Sequence, residues 1–282
     1  MPTPLAPALL GLASAASWGA GDFSGGLAAK RSPLLGVLLL GQLTGATLMA
    51  ALALLLHEGA PAAASLWWSV TAGAVGAVGL AALYRGLAVG RMAVVAPISA
   101  VLSAALPVAW GVLSEGSPSA IRLAGFALAL LGIWLVARPG GKDQASTGRA
   151  GLGLALLAGV SFGGFLVFMN LGARGGTFWP LAAARGTAFL LVLATVLARR
   201  QAWRPAAGAL PLVLLSGSLD AGGNALFVLA SQSGRLDVAA VLASMYPAST
   251  VLLAAALLRE RIGRTQALGI AVALGSIVLI TV

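Results

Sequence analysis

A chain of 282 residues that is 60% hydrophobic and 9% charged, with a mean hydropathy of +1.00, lies far from the roughly 45–50% apolar and roughly 25% charged usage of soluble domains. That composition excludes disorder and marks an integral membrane protein. The net charge of +10 does not point to nucleic acid, because the basic residues sit singly or in pairs at the ends of apolar runs, a pattern that belongs to membrane topology. With no cysteine and one histidine, His57 in a loop, no metal centre, redox cofactor or other cofactor is expected.

A helix crossing about 30 Å of hydrocarbon needs roughly 20 apolar residues. Ten such segments are predicted in chain order, at 5–29, 34–56, 66–89, 92–113, 120–137, 151–172, 178–198, 210–231, 236–258 and 265–282. The first lacks the positive start of a signal peptide and carries Lys30-Arg31 after its apolar run, so it reads as a retained membrane helix. The one long polar connection, "RPGGKDQASTGRA" at 138–150, divides the chain into halves at 1–137 and 151–282.

The halves superimpose in sequence at one offset of 144: "SWG" at Ser17 meets "SFG" at Ser161, Gly73 and Gly79 meet Gly217 and Gly223, "GRMAV" meets "GRLDV", and Gly125 meets Gly269. Five helices per copy is an odd number, so the second copy enters from the opposite side. The fold class is therefore all-α integral membrane, ten transmembrane helices in two inverted five-helix repeats, an architecture of transporters with the site at mid-membrane. Lys and Arg crowd the connections after odd-numbered helices (Lys30, Arg31, Arg91, Arg138, Lys142, Arg149, Arg199, Arg200, Arg204, Arg259, Arg261, Arg264), against Arg122, Arg174 and Arg235 opposite. This bias predicts an inner-membrane protein with both termini outside.

No GxxxxGK[ST] occurs and no His/carboxylate grouping falls within a helix, so neither ATP binding of that kind nor catalysis is expected. The intramembrane polar residues are the candidate site, since each needs a partner or a watery cavity. Counted along the helices at about 1.5 Å per residue, Arg185, Asp220 and Asn224 fall at similar depths; a structural ion pair and a substrate-facing role are both open. Ser14, Trp18 and Asp22 share one stripe of the first helix and read as a cavity wall, with Gln42 at comparable depth, while an acid drawn toward the interface near Lys30 is the other reading of Asp22. Tyr246, mid-helix before Pro247, and Tyr84 complete the substrate-binding set, although the interfacial belt explains Tyr84 as well; Trp67, Trp68 and Trp179 read as belt residues. Pro97, Pro107 and Pro247 are candidate kinks or hinges. "GAVGAVG" at Gly73 and the Gly222-Gly223 pair read as packing seams.

"SWGAGDF" in the first helix, "PLAAARGTAFLL" in the seventh and "YPASTVLLAAALLRERIGRTQALGIAVALGSIVLI" at the end resemble the EamA-type transporters of the drug/metabolite transporter superfamily. The resemblance covers the whole chain, but the first half has Ile121-Arg122 where the second has Gln266 in the matching turn. It implies export or exchange of small metabolites across the bilayer by alternating access without ATP, and is greatest to bacterial exporters of aromatic and other neutral amino acids. The expected cavity is lined by helices one, three, four, six, eight and nine. Organic-cation efflux is the rival within transport, and would favour an acid among aromatics with no balancing arginine; a passive pore is the rival outside it. Monomer and oligomer are both open.

Overall fold

The computed structural model describes residues 5–89, 92–137, 149–259 and 261–281, except the side chains of 84, 87–89, 92–94, 96, 97 and 149. Most of the polar connection at 138–150, and the side chains of Tyr84 and Pro97, lie outside the described residues. Among those residues the chain forms α1 (Leu5–Ala29), α2 (Leu34–Leu55), α3 (Ala63–Val89), α4 (Met92–Glu115), α5 (Ala120–Val136), α6 (Arg149–Gly172), α7 (Phe178–Arg199), α8 (Leu210–Ser233), α9 (Leu236–Ala243), α10 (Tyr246–Leu258) and α11 (Arg264–Thr281).

Eight of the stretches are long and apolar enough to cross a membrane, and α5 is a shorter apolar helix. The remaining one, α1, is 25 residues long and carries Ser14 and Ser17, which its packing on α8 uses, together with Asp22 and Ser24. With α9 and α10 counted as one span, Leu236–Leu258, the fold is ten helical spans of a multi-pass membrane protein. Its exterior is apolar: Leu54, Leu113, Leu197, Leu268 and Val278 point outward from α2, α4, α7 and α11. A surface of that kind belongs against hydrocarbon.

Proline and polar capping place several ends. Pro33 precedes α2 and Pro211 lies in the first turn of α8, where a missing N–H removes no helical bond. The Ser119 side chain accepts the Arg122 N–H at 3.2 Å and starts α5. The ninth span, expected to be continuous, is broken at Ser244 and Met245, and Tyr246-Pro247 opens α10. Pro247 has no N–H to donate back into α9, and its ring disfavours helical geometry in the residue before it. By contrast α4 runs unbroken through Pro97 and Pro107.

Helix packing repeats with the sequence. α1 packs on α8 and α6 on α3; α2 packs on α8 and α7 on α3; α5 packs on α11. Each pair converts into its counterpart when the halves are exchanged at offset 144. Individual glycine contacts convert too. A Cβ on Gly125 would lie 3.0 Å from Leu279 Cβ and 2.9 Å from Ile280 Cγ1, and one on Gly269 would lie 2.8 Å from Leu135 Cβ and 2.7 Å from Val136 N. Residues 135 and 136 are the offset partners of 279 and 280. Likewise Gly79 faces Ser161 and Phe162, whereas Gly223 faces Trp18, the partner of Phe162. In a bilayer such seams hold helices by close backbone approach, because apolar side chains gain little from leaving lipid for each other.

Candidate functional site

Three hydroxyls join α1 to α8: Ser14 Oγ donates to the Gly223 carbonyl at 2.8 Å, Ser17 Oγ to that of Leu219 at 2.7 Å, and Ser216 Oγ from α8 to that of Gly21 at 2.8 Å. Helical carbonyls have a second lone pair, so these bonds join the helices without unwinding either. With α1 held this close, a Cβ on Gly21 would sit 3.2 Å from Asp220 N. Asp22 and Asp220 are thereby brought to the same wall of one cavity, within electrostatic reach of each other.

The cavity has a volume of about 480 Å³, inside the roughly 300–1,000 Å³ range of small-molecule sites. Trp18, Asp22, Arg185, Asp220, Asn224 and Tyr246, all singled out in the sequence, line it. The set of helices differs from expectation: α2 (through Leu34, Val37, Leu38, Gly41 and Gln42) and α7 (through Ala184, Arg185, Ala188 and Val192) also contribute walls. Both are apolar along most of their length, and Gln42 and Arg185 are the polar side chains that they turn inward. Ser14, read as part of the wall, is instead fully buried in the α1–α8 seam.

Arg185 is committed. Its Nη2 donates to Asp220 Oδ2 at 2.7 Å and its Nη1 to Gln42 Oε1 at 3.3 Å, while Nε is buried with no hydrogen-bond partner. The guanidinium stem crosses α2 at Gly45, where a Cβ would lie 2.7 Å from Arg185 Cδ. Arg185 is 4% exposed and Asp220 44%, so the pair is dry on the arginine side and open to the cavity on the carboxylate side. Asp22 is different. Its carboxylate makes no hydrogen bond or ion pair among the described residues, and it faces the cavity.

An aromatic cluster stands beside it. Trp18 Nε1 donates to Asn224 Oδ1 at 2.8 Å, its ring stacks on Phe227 at a centroid distance of 6.0 Å, and Tyr246 meets it edge-on at 6.2 Å. Gly223 is the residue against which the indole lies. The break between α9 and α10 is what presents Tyr246 at this depth. We expect Trp18→Phe to keep the stacking but lower stability by about 1–2 kcal/mol, since Asn224 Oδ1 loses its donor in a site where it is 6% exposed; thermal unfolding in detergent measures this.

Gln42, Phe162 and Phe165 join the site without having been singled out as site residues. Gln42 had a sequence signal, a lone amide in an apolar helix at the depth of Asp22. Phe162 had only the repeat, as the offset partner of Trp18, and Phe165, whose partner is Gly21, had no such signal. Trp68 and Trp179, read as belt residues, have partners inside the protein: Trp68 stacks on Phe168 at 5.6 Å and Trp179 Nε1 donates to the Glu58 carbonyl at 3.1 Å. Among the described residues no group of three or more His, Asp or Glu is placed to hold a metal ion.

No curated protein sequence matches the chain. A solved structure titled only "Crystal structure of protein" superposes on 100% of this chain and 99% of its own with a TM-score of 0.83 at 18% identity, a likeness of fold. The family resemblance seen along the whole chain has its match in the second half. Residues 149–282, from the start of α6 to the last residue, match the EamA-like transporter family.

Proposed function

We propose that the protein carries small amine-bearing metabolites, amino acids first among them, across the inner membrane by alternating access without ATP, the repeats at 1–137 and 151–282 moving about the cavity between them. The observation that carries this reading is Asp22, an unpaired carboxylate in a cavity walled by Trp18 and Tyr246. A substrate ammonium there gains a charge-assisted bond to Asp22 and a cation–π face on Trp18 or Tyr246. The amide NH₂ groups of Gln42 and Asn224, whose oxygens are already engaged, are the donors left for a substrate carboxylate. The Lys/Arg bias supports termini outside and a cytoplasmic mouth.

Organic-cation efflux is a second reading, favoured by one specific feature: Arg185 is bound to Asp220, so among the described residues no guanidinium pairs with Asp22. Flux of amino acids, sugars and organic cations into liposomes separates the two. Uptake of amino acids that saturates and is blocked by other amino acids supports the first reading; saturable uptake of cations alone supports the second; flux that never saturates marks a pore and overturns both. In either reading Asp22→Asn is expected to lower transport at least about tenfold, the equivalent of about 1.4 kcal/mol of lost binding. Its melting temperature in detergent is expected to stay at that of the parent, because no protein group loses a partner. A melting point that falls in step with transport would assign Asp22 to the scaffold.

A further inference from the structure

The cavity reaches only one face of the membrane. Its lining runs from mid-span positions such as Trp18, Leu166, Ala184 and Asn224 out to Ala29 and Leu34 at the ends of α1 and α2, and none of it comes from 5–17, 43–55, 63–72 or 225–233. The mouth therefore lies on the arginine-rich face, where the odd-numbered spans end. The opposite face is shut by two polar clips.

In the first, Glu58, just past α2, accepts the backbone N–H groups of Thr177, Phe178 and Trp179 at 3.1, 2.9 and 3.1 Å. A carboxylate thus caps the first turn of α7 from another element, where helix dipole and free amides favour an anion. Gly176 makes room for it, since a Cβ there would lie 2.7 Å from Glu58 Oε1. Gln232 at the end of α8 donates to the carbonyls of Ala173 and Gly176 at 2.7 and 3.1 Å, fastening the same turn from a third helix. In the second clip, Arg235 binds Asp237 at 2.7 Å and donates to the carbonyls of Glu115 and Gly116 at 3.3 and 2.7 Å, tying the end of α4 to the start of α9. Asp237 is fully buried. Its hydrogen bond holds the Arg235 guanidinium above its ordinary pKa.

Two identical inverted halves make the two end states equal in energy, because exchanging the conformations of the halves converts one state into the other. Any preference comes from contacts without a counterpart. At offset 144 the partners of Glu58, Gln232 and Asp237 are Ala202, Ala88 and Ala93, and that of Thr177 is Pro33, which has no N–H to offer. The arginine-rich face cannot build the same clips.

We infer that Glu58, Gln232 and the Arg235–Asp237 pair are the state-setting residues of this carrier: they hold one face closed and make the state open to the arginine-rich face the resting state of the empty protein. This rests on the alternating-access reading above. The chain has no cysteine, so Ala77→Cys, on the cavity wall, gives a single reporter for a membrane-impermeant thiol reagent added from either side. In the parent the reporter reacts from the arginine-rich face. Adding Glu58→Gln and Asp237→Asn together raises reaction from the opposite face at least about tenfold, the factor equivalent to one net hydrogen bond, and lowers it from the first. If that double variant does not fold, Glu58→Gln alone is expected to shift both rates in the same directions. Unchanged rates in a folded variant, or rates that rise from both faces together, overturn the inference. The labelling needs no substrate, so a wrong substrate class leaves it intact, whereas equal reactivity from both faces in the parent overturns it by removing alternating access itself.

Discussion

Asp220→Ala is expected to destabilise the protein by about 3 kcal/mol, the lower end of what breaking a buried ion pair costs, because it strands the Arg185 charge. Arg185 is 4% exposed and lies across Gly45 inside the helix bundle, so cavity water entering where the carboxylate stood reaches only one edge of the guanidinium. The reverse change, Arg185→Met, leaves Asp220 at 44% exposure on the cavity, where water solvates it, and is expected to cost distinctly less. Combining Arg185→Met with Asp220→Ala removes both charges and should recover much of the loss of the Asp220 single variant. Unfolding of the three variants in detergent measures the ordering. Equal losses in both single variants would mean that Arg185 is as well solvated as Asp220. The same asymmetry bears on transport: a fall in flux for Asp220 variants is interpretable only after correction for abundance, which is why Asp22 is the sharper probe of substrate contact.

The second large effect is expected at the symmetric seams. Gly73 packs against the backbone of Ala184, and its repeat partner Gly217 packs against Gly41, with a Cβ on Gly217 falling 2.6 Å from the Gly41 carbonyl oxygen. Backbone cannot move aside as a side-chain tip can, so Gly73→Leu and Gly217→Leu must separate α3 from α7 or α8 from α2. Each is expected to cost about 3 kcal/mol, the upper range for overpacking. Gly275→Ala is the contrast, because nothing lies within 4 Å of its Cβ position. There the change only removes backbone freedom from the unfolded chain, and is expected to stabilise by about 0.5–1 kcal/mol. Melting curves for the three proteins check the pattern, and a destabilising Gly275→Ala would show that the outer face of α11 is covered.

Asp22 and Arg185 show the difference between reading a cavity and reading a partner. Both stood out as charges inside apolar helices, and depth counting put Arg185 level with Asp220 and Asn224. Depth alone does not distinguish a carboxylate that is paired from one that is free. That depends on rotation of α7 about its axis, which brings Arg185 through the gap at Gly45 to Asp220, and on α1, whose three serine bonds to α8 leave Asp22 pointing at empty space. Gln42 is a similar case: its depth was readable, its bond to Arg185 was not.

By itself the sequence determined the number of spans, their ends to within a few residues, the inverted repeat and which polar side chains lie inside apolar spans. Each follows from local rules: hydrocarbon thickness sets helix length, proline and charge set the ends, and a repeat is visible in one dimension. Tertiary structure decided what those rules leave open. The break after Ala243 that presents Tyr246, the turning of α2 and α7 into the wall, the pairing of Arg185 with Asp220 and the clips at Glu58 and Arg235 all depend on which faces meet across the bundle. In an all-apolar helix every face looks alike from the sequence, because lipid and protein interior are equally apolar, and only packing distinguishes them.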